Sequence, residues 1–150
     1  MTARLLLDTN VLIYAYDRSE QVKQLQARQL LDDAHRWGVA ALSTQVLAEF
    51  VTTATRKLAR TLEPHDVHES VATYCRNWTV LPVTPAIVLE AVRGMQTRSM
   101  SYWDAQIWAT AKMAGLVAIL SEDFNSGATI EGVTFANPFA PGFDLRAWLR

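Results

Sequence analysis

Four acidic residues stand out by their placement: Asp8 directly after the apolar run Leu5-Leu6-Leu7, Glu49 inside the otherwise apolar Val46–Val51, Asp104 in the first turn of a helix that begins Ser101-Tyr102-Trp103, and Asp123 just past the apolar run Leu116–Leu120. A carboxylate at the end of a buried strand is costly unless something uses it. Were the four to converge, their like charges would repel and raise one another's pKa values unless a cation sat among them. Oxygen donors select a hard ion, so an all-carboxylate set suits Mg²⁺ or Mn²⁺, whereas Zn²⁺ would be expected to recruit histidine or cysteine. His35, His65, His68 and Cys75 all lie outside these stretches. A hard ion so held lowers the pKa of water, orients it for in-line attack on a phosphodiester and offsets charge growing on the phosphorus oxygens, which is nuclease chemistry.

Each acid also has a plainer use. Ser101 followed three residues later by Asp104 fits a helix-capping pair. Glu49 could face solvent from the polar side of its helix, and Asp8 and Asp123 could be turn formers, since aspartate bonds its own backbone readily. Asp17, Asp32, Asp33, Asp66, Glu69 and Glu90 show no comparable placement and read as solvated helix faces. The convergence of four acids, rather than any one of them, carries the signal.

The positioning elements alternate between strand and helix. Residues 5–7 and 116–120 read as short strands buried on both faces, 39–42 as a small strand ending at Ser43, 80–83 as an edge strand because of Pro82, and 132–136 as a further strand. Between them, helical spacing covers residues 10–16, 20–37 (Val22, Leu25, Leu30, Ala34 and Trp37, stopped by Gly38), 44–58 capped by Ser43, 64–76, 85–95 and a helix from Ser101 to Gly115. Strands separated by helices imply an α/β fold with a parallel sheet covered on both faces. In such sheets ligands bind at the carboxyl ends of the strands, the edge where Asp8 and Asp123 fall; the helices carrying Glu49 and Asp104 could aim at it.

With 150 residues, 50% of them apolar, and a formal charge of −1, the chain is expected to form one globular domain over residues 1–150. One cysteine excludes an intrachain disulfide, and the first residues lack a signal peptide's apolar run, so a reducing, cytoplasmic setting is expected. No apolar segment approaches the roughly 20 residues of a membrane span.

The chain resembles the PIN-domain ribonucleases, and specifically the VapC toxins of bacterial toxin-antitoxin pairs. The stretches that carry the resemblance are Leu7–Tyr14, Ser43–Phe50, Ser101–Ile107 and Leu120–Phe124, with Asn137-Pro138-Phe139 near the end. The resemblance implies a single PIN domain, an α/β/α sandwich with a central, mainly parallel sheet. It implies that Asp8, Glu49, Asp104 and Asp123 are the catalytic, metal-binding set for Mg²⁺ or Mn²⁺, with Asn10 and Ser121 as polar supports beside it. It further implies an RNA substrate, a cognate VapB-type antitoxin and a homodimer. Glu122 adjoins Asp123, and neighbours on an extended chain point oppositely, so only one faces the site; the family pattern selects Asp123.

Two other functions share part of this pattern. A haloacid-dehalogenase-like phosphatase also begins with an aspartate after a buried strand, but its second aspartate is Asn10 here. A PIN-like RNA- or protein-binding module without catalysis would be marked by loss of acids, and all four are present. For RNA contact, the sequence offers Arg56, Lys57 and Arg60, Arg93 and Arg98 as basic groups able to flank a cleft, and Trp103 and Trp108 as stacking candidates with core packing as the plainer reading.

Overall fold

The computed structural model describes residues 2–150. Its six strands are β1 (Leu5–Leu7), β2 (Ala40–Ser43), β3 (Thr79–Leu81), β4 (Ala118–Leu120), β5 (Thr129–Ile130) and β6 (Val133–Ala136). The helices are α1 (Thr9–Tyr14), α2 (Gln21–Trp37), α3 (Thr44–Arg56), α4 (Pro64–Asn77), α5 (Pro85–Thr97) and α6 (Tyr102–Met113), followed by a 3-10 turn at Leu145–Trp148. The sheet runs β3-β2-β1-β4-β6-β5, parallel except for the β5–β6 pair.

Strand pleating splits the three leucines of β1 between two cores. Leu5 and Leu7 face a core shared with Val11 and Leu12 of α1, Leu30 of α2, Phe50 of α3 and Tyr74 of α4. Leu6 points the opposite way, into a core with Ile87 and Ala91 of α5 and Trp108 of α6. Helices therefore cover both faces, α1–α4 on one and α5–α6 on the other, and β1 is buried along its length as its leucine run requires. The result is the expected α/β/α sandwich.

Chain order leaves β1 in the middle: the path moves outward through β2 and β3, then returns to place β4 on the other flank of β1. The register sets Leu7 beside Leu120, so Asp8 and Ser121 leave the sheet side by side at this reversal. Crevices open at such reversals because the crossover helices diverge to opposite faces.

Two local expectations fail for clear reasons. On α2 the buried stripe is Ala27, Leu30 and Ala34, whereas Val22 and Leu25 are 73% and 69% exposed. At about 100° per residue both fall on the far side from Ala27. The strand β5 was not expected; two residues are too short for a periodic signal. Glu131 and Gly132, both at positive φ, make the two-residue turn that folds it onto β6. Among the described residues no helix is long and apolar enough to cross a membrane.

Candidate active site

Asp8 ends β1 and caps α1. Its amide donates to the Leu120 carbonyl at 3.0 Å, tying it to β4, and its Oδ1 accepts from the Thr9 amide at 2.7 Å. Its Oδ2 accepts from Ser121 Oγ at 2.7 Å and from Asn10 Nδ2 at 3.4 Å. Burial pushes the Asp8 carboxyl up to about 6, against the lowering effect of the Ser121 and Thr9 bonds, and the charges of Glu49 and Asp123 push the same way. Two of the other acids are therefore near enough for their charge to be felt at Asp8.

Asn10 and Ser121 bind the set together. Asn10 Nδ2 lies 2.9 Å from Ser121 Oγ and 3.1 Å from Asp123 Oδ2. Ser121 Oγ, fully buried, donates to Asp8 and accepts from Asn10 and from the Asp123 amide at 3.1 Å, which uses its whole hydrogen-bonding capacity. Glu49 joins from α3: its Oε2 accepts from Thr9 Oγ1 at 2.9 Å and its Oε1 from Gln45 Nε2 at 2.8 Å. Gln45 and Glu49 lie four residues apart on one helix face, the spacing at which such side chains meet.

Asp104 stands at the margin. The Ser101 hydroxyl caps α6 by accepting the Asp104 amide at 3.3 Å, and among the described residues no donor reaches the exposed Asp104 carboxylate. Its link to the others runs through the preceding residue, whose carbonyl accepts from Gln45 Nε2 at 3.0 Å. Asp8, Glu49 and Asp123 thus share one hydrogen-bonded network, and Asp104 borders it. Among the described residues no three acids or imidazoles close into a finished ion cage. The donor chemistry nevertheless suits a hard cation: all-oxygen ligands, a buried carboxylate lifted partly by its acidic neighbours, and two exposed carboxylates, of which Asp123 is held by Asn10.

Glu122 faces elsewhere. It accepts from the Tyr14 hydroxyl and pairs with Lys23 at 2.9 Å, while its backbone amide reaches Asn10 Oδ1 at 3.4 Å. The loop that presents Asp123 is thereby anchored from behind. Sequence reading missed Thr9, Gln45, Tyr14 and Lys23 as supports; only Gln45 left a signal, its four-residue offset from Glu49.

Of the basic groups, Arg93 is not available to phosphate. It bonds Glu90 and Glu131, which also engage Lys112, and this ion-pair cluster closes over Trp108. Arg56, Lys57, Arg60 and Arg98 are exposed. Trp108 is core, whereas Trp103 is 61% exposed and walls an open cleft of about 570 Å³ together with Gln45, Glu49, Thr52 and Gln106.

The PIN domain family model matches residues 5–126. Solved structures of similar fold include a toxin-antitoxin complex from Klebsiella pneumoniae (21% identity, TM-score 0.63, 90% of this chain and 98% of that one). Another is DNA-bound VapBC from Salmonella typhimurium (18% identity, TM-score 0.64, 92% and 99%). A third is a sarcin-ricin loop cleaving VapC toxin from Mycobacterium tuberculosis (19% identity, TM-score 0.62, 79% and 91%). No curated protein matches the chain.

Proposed function

The chain belongs to the PIN-domain family, and from that premise we propose that it is a Mg²⁺- or Mn²⁺-dependent endoribonuclease, the toxin of a VapBC-type pair. The observation that carries the reading is the network of Asp8, Glu49 and Asp123 at the sheet reversal, with Asp8 buried and lifted to about 6. Such an arrangement is wasteful for a fold and useful for a cation.

Asp8, Glu49, Asp104 and Asp123 would hold the ion. When bound there it supplies Lewis acidity and offsets negative charge on the phosphodiester. The remaining work falls to the chain. Ser121 and the Thr9 amide fix both oxygens of Asp8, so that its carboxylate keeps one orientation. Asn10 spans Asp8 and Asp123 and sets the separation of β1 and the loop after β4. Gln45 and Thr9 aim Glu49 from the α3 side. The RNA phosphate enters the open edge, where exposed Asp104 and Asp123 leave room for it. A cognate VapB-type antitoxin restrains the activity, in keeping with the toxin-antitoxin complexes among the structures of similar fold.

The test is cleavage of single-stranded or loop RNA by the purified chain with Mg²⁺, with Mn²⁺ and with EDTA, alongside a generic aryl phosphate. Metal-dependent RNA cleavage that Asp8→Asn abolishes is the expected result. Undiminished cleavage in chelator after thorough metal removal, or turnover of the aryl phosphate alone, would overturn it.

A further inference from the structure

The cleft beside Glu49 is built unlike a general acidic groove. One wall is the exposed indole of Trp103 and the floor is apolar, with Ala48 and Val83. An exposed tryptophan on a helix end would normally be free to swing, but its backbone is held. Tyr102 Oη donates to Gln106 Oε1 at 2.7 Å, Gln106 Nε2 to Gln45 Oε1 at 2.8 Å, and Gln45 Nε2 to both the Trp103 carbonyl at 3.0 Å and Glu49 at 2.8 Å. The Tyr102 ring packs edge-on against the indole at 5.1 Å between centroids. Gln45 and Gln106 are buried, so this chain of amides fixes the start of α6 against α3 across the sheet edge.

The α3 wall continues the pattern. Gln45, Glu49, Thr52 and Arg56 recur at offsets of four, three and four residues and so share one helix face. Arg56 is exposed, joins no ion pair among the described residues, and lies about 10 Å along the helix from Glu49. A flat aromatic wall, an apolar floor and a free guanidinium on one side of an acidic site match the parts of a single-stranded nucleotide: a base to stack, and a phosphate for the cation to meet.

From this placement we infer that Trp103 stacks a nucleobase flanking the scissile phosphate, with Arg56 holding a neighbouring phosphate, so that this cleft sets the base preference of cleavage. The inference deepens the nuclease reading and rests on it. Arg56 supplies affinity without sequence information, and Trp103 the preference.

The experiment uses randomised single-stranded RNA oligonucleotides with sequencing of the cleaved ends, for the wild type, Trp103→Phe, Trp103→Ala and Arg56→Gln. Binding of the same oligonucleotides to Asp8→Asn and Asp8→Asn/Trp103→Ala is measured by fluorescence anisotropy. Trp103→Ala is expected to lower kcat/KM roughly 5- to 140-fold, to flatten the base preference at one position beside the cut, and to weaken binding by a similar factor. Trp103→Phe keeps most of both, and Arg56→Gln weakens binding evenly across sequences. An abasic nucleotide at the preferred position should cost the wild type the same factor and cost Trp103→Ala nothing more. Its wild-type arm alters only the RNA, so a folding defect in a variant cannot mimic that loss. Unchanged rate and preference in Trp103→Ala would overturn the inference and give the cleft to a protein partner. Absence of wild-type cleavage with retained, Trp103-dependent binding would fault the nuclease reading and leave the stacking site standing; absence of both would overturn each.

Discussion

Ser121 Oγ donates a 2.7 Å hydrogen bond to Asp8 Oδ2, joining the ends of two parallel strands at the point where the strand order reverses. Of the effects that lower the Asp8 pKa, this bond is the largest, and burial outweighs it. Ser121→Ala should therefore raise the Asp8 pKa beyond about 6. It also removes the acceptor for Asn10 and for the Asp123 amide, so the loss at pH 8 should be about 1 to 3 kcal/mol. The loss should shrink at pH 5, where the raised pKa leaves Asp8 mostly protonated and less demanding of donors. Urea unfolding in EDTA at the two pH values measures it, and equal losses at both would disconnect Ser121 from the Asp8 charge.

The wild-type fold should show the same acid directly. Asp8 has a folded pKa of about 6, above its ordinary 3.8, so the folded state binds this proton more tightly than the unfolded state. Its contribution is thus favourable at low pH and is lost as pH rises from about 4 to about 6, by about 3 kcal/mol in all. Glu90 works in a different range, since its bonds from Arg93 and Lys112 lower its pKa to about 2 and its effect falls below pH 4.5. Urea unfolding of the metal-free protein between pH 4 and 7 should reveal a decline that Asp8→Asn removes. A flat profile in the wild type would mean that Asp8 is solvated.

Much of this was readable in the chain. Burial of Leu5–Leu7 on both faces, the Ser43 and Ser101 caps and the stop at Gly38 are local effects, and each appears at its expected place. The layered α/β arrangement follows from strand and helix alternation. What sequence could not supply was long-range: Tyr14 and Lys23 meet Glu122 across about a hundred residues, and Arg93 is consumed by Glu131 from a two-residue hairpin too short to register as a pattern. Val22 and Leu25 misled because an apolar residue at nearly helical spacing still lands on the wrong face when the stripe is set by Ala27 and Leu30. Asp104 was read either as cap or as ligand. Ser101 alone does the capping, and the carboxylate is left over.

Packing between α5 and α6 offers a test independent of chemistry. A Cβ on Gly94 would lie 2.7 Å from the Trp108 ring, which is fully buried. In an exposed helix interior Gly→Ala gains about 1 kcal/mol, but overpacking a closed core costs about 1 to 3. The clash is with a rigid ring held in place by its Nε1 bond to the Ile130 carbonyl, so the second effect should win. Gly94→Ala is expected to lower the melting temperature while Gly94→Ala/Trp108→Phe recovers part of the loss. A gain in the single variant would show that the helices can slide apart.

A shared ion should be visible in stability before any RNA is added. Asp8→Asn removes a buried charge in the metal-free protein, and although the new amide cannot accept from both Ser121 and Asn10 as well as the carboxylate does, the net change should lie between neutral and a gain of about 1 kcal/mol. Asp104→Ala should cost the apo fold little, at most the 0.3 to 1 kcal/mol of an acid in the first helical turn, because Ser101 makes the capping bond without it. Mg²⁺ should then separate the variants: binding only the folded state, it stabilises the wild type by about 2.7 kcal/mol at a hundredfold excess over its Kd, and either variant by less at the same concentration. Thermal melts of the three proteins in EDTA and in excess Mg²⁺ measure both effects. Equal Mg²⁺ shifts in all three, or none in the wild type at saturation, would remove Asp8 and Asp104 from a common site. Loss of apo stability in Asp8→Asn would make that carboxylate a structural cap of α1, held by Thr9 and Ser121 for the sake of the fold.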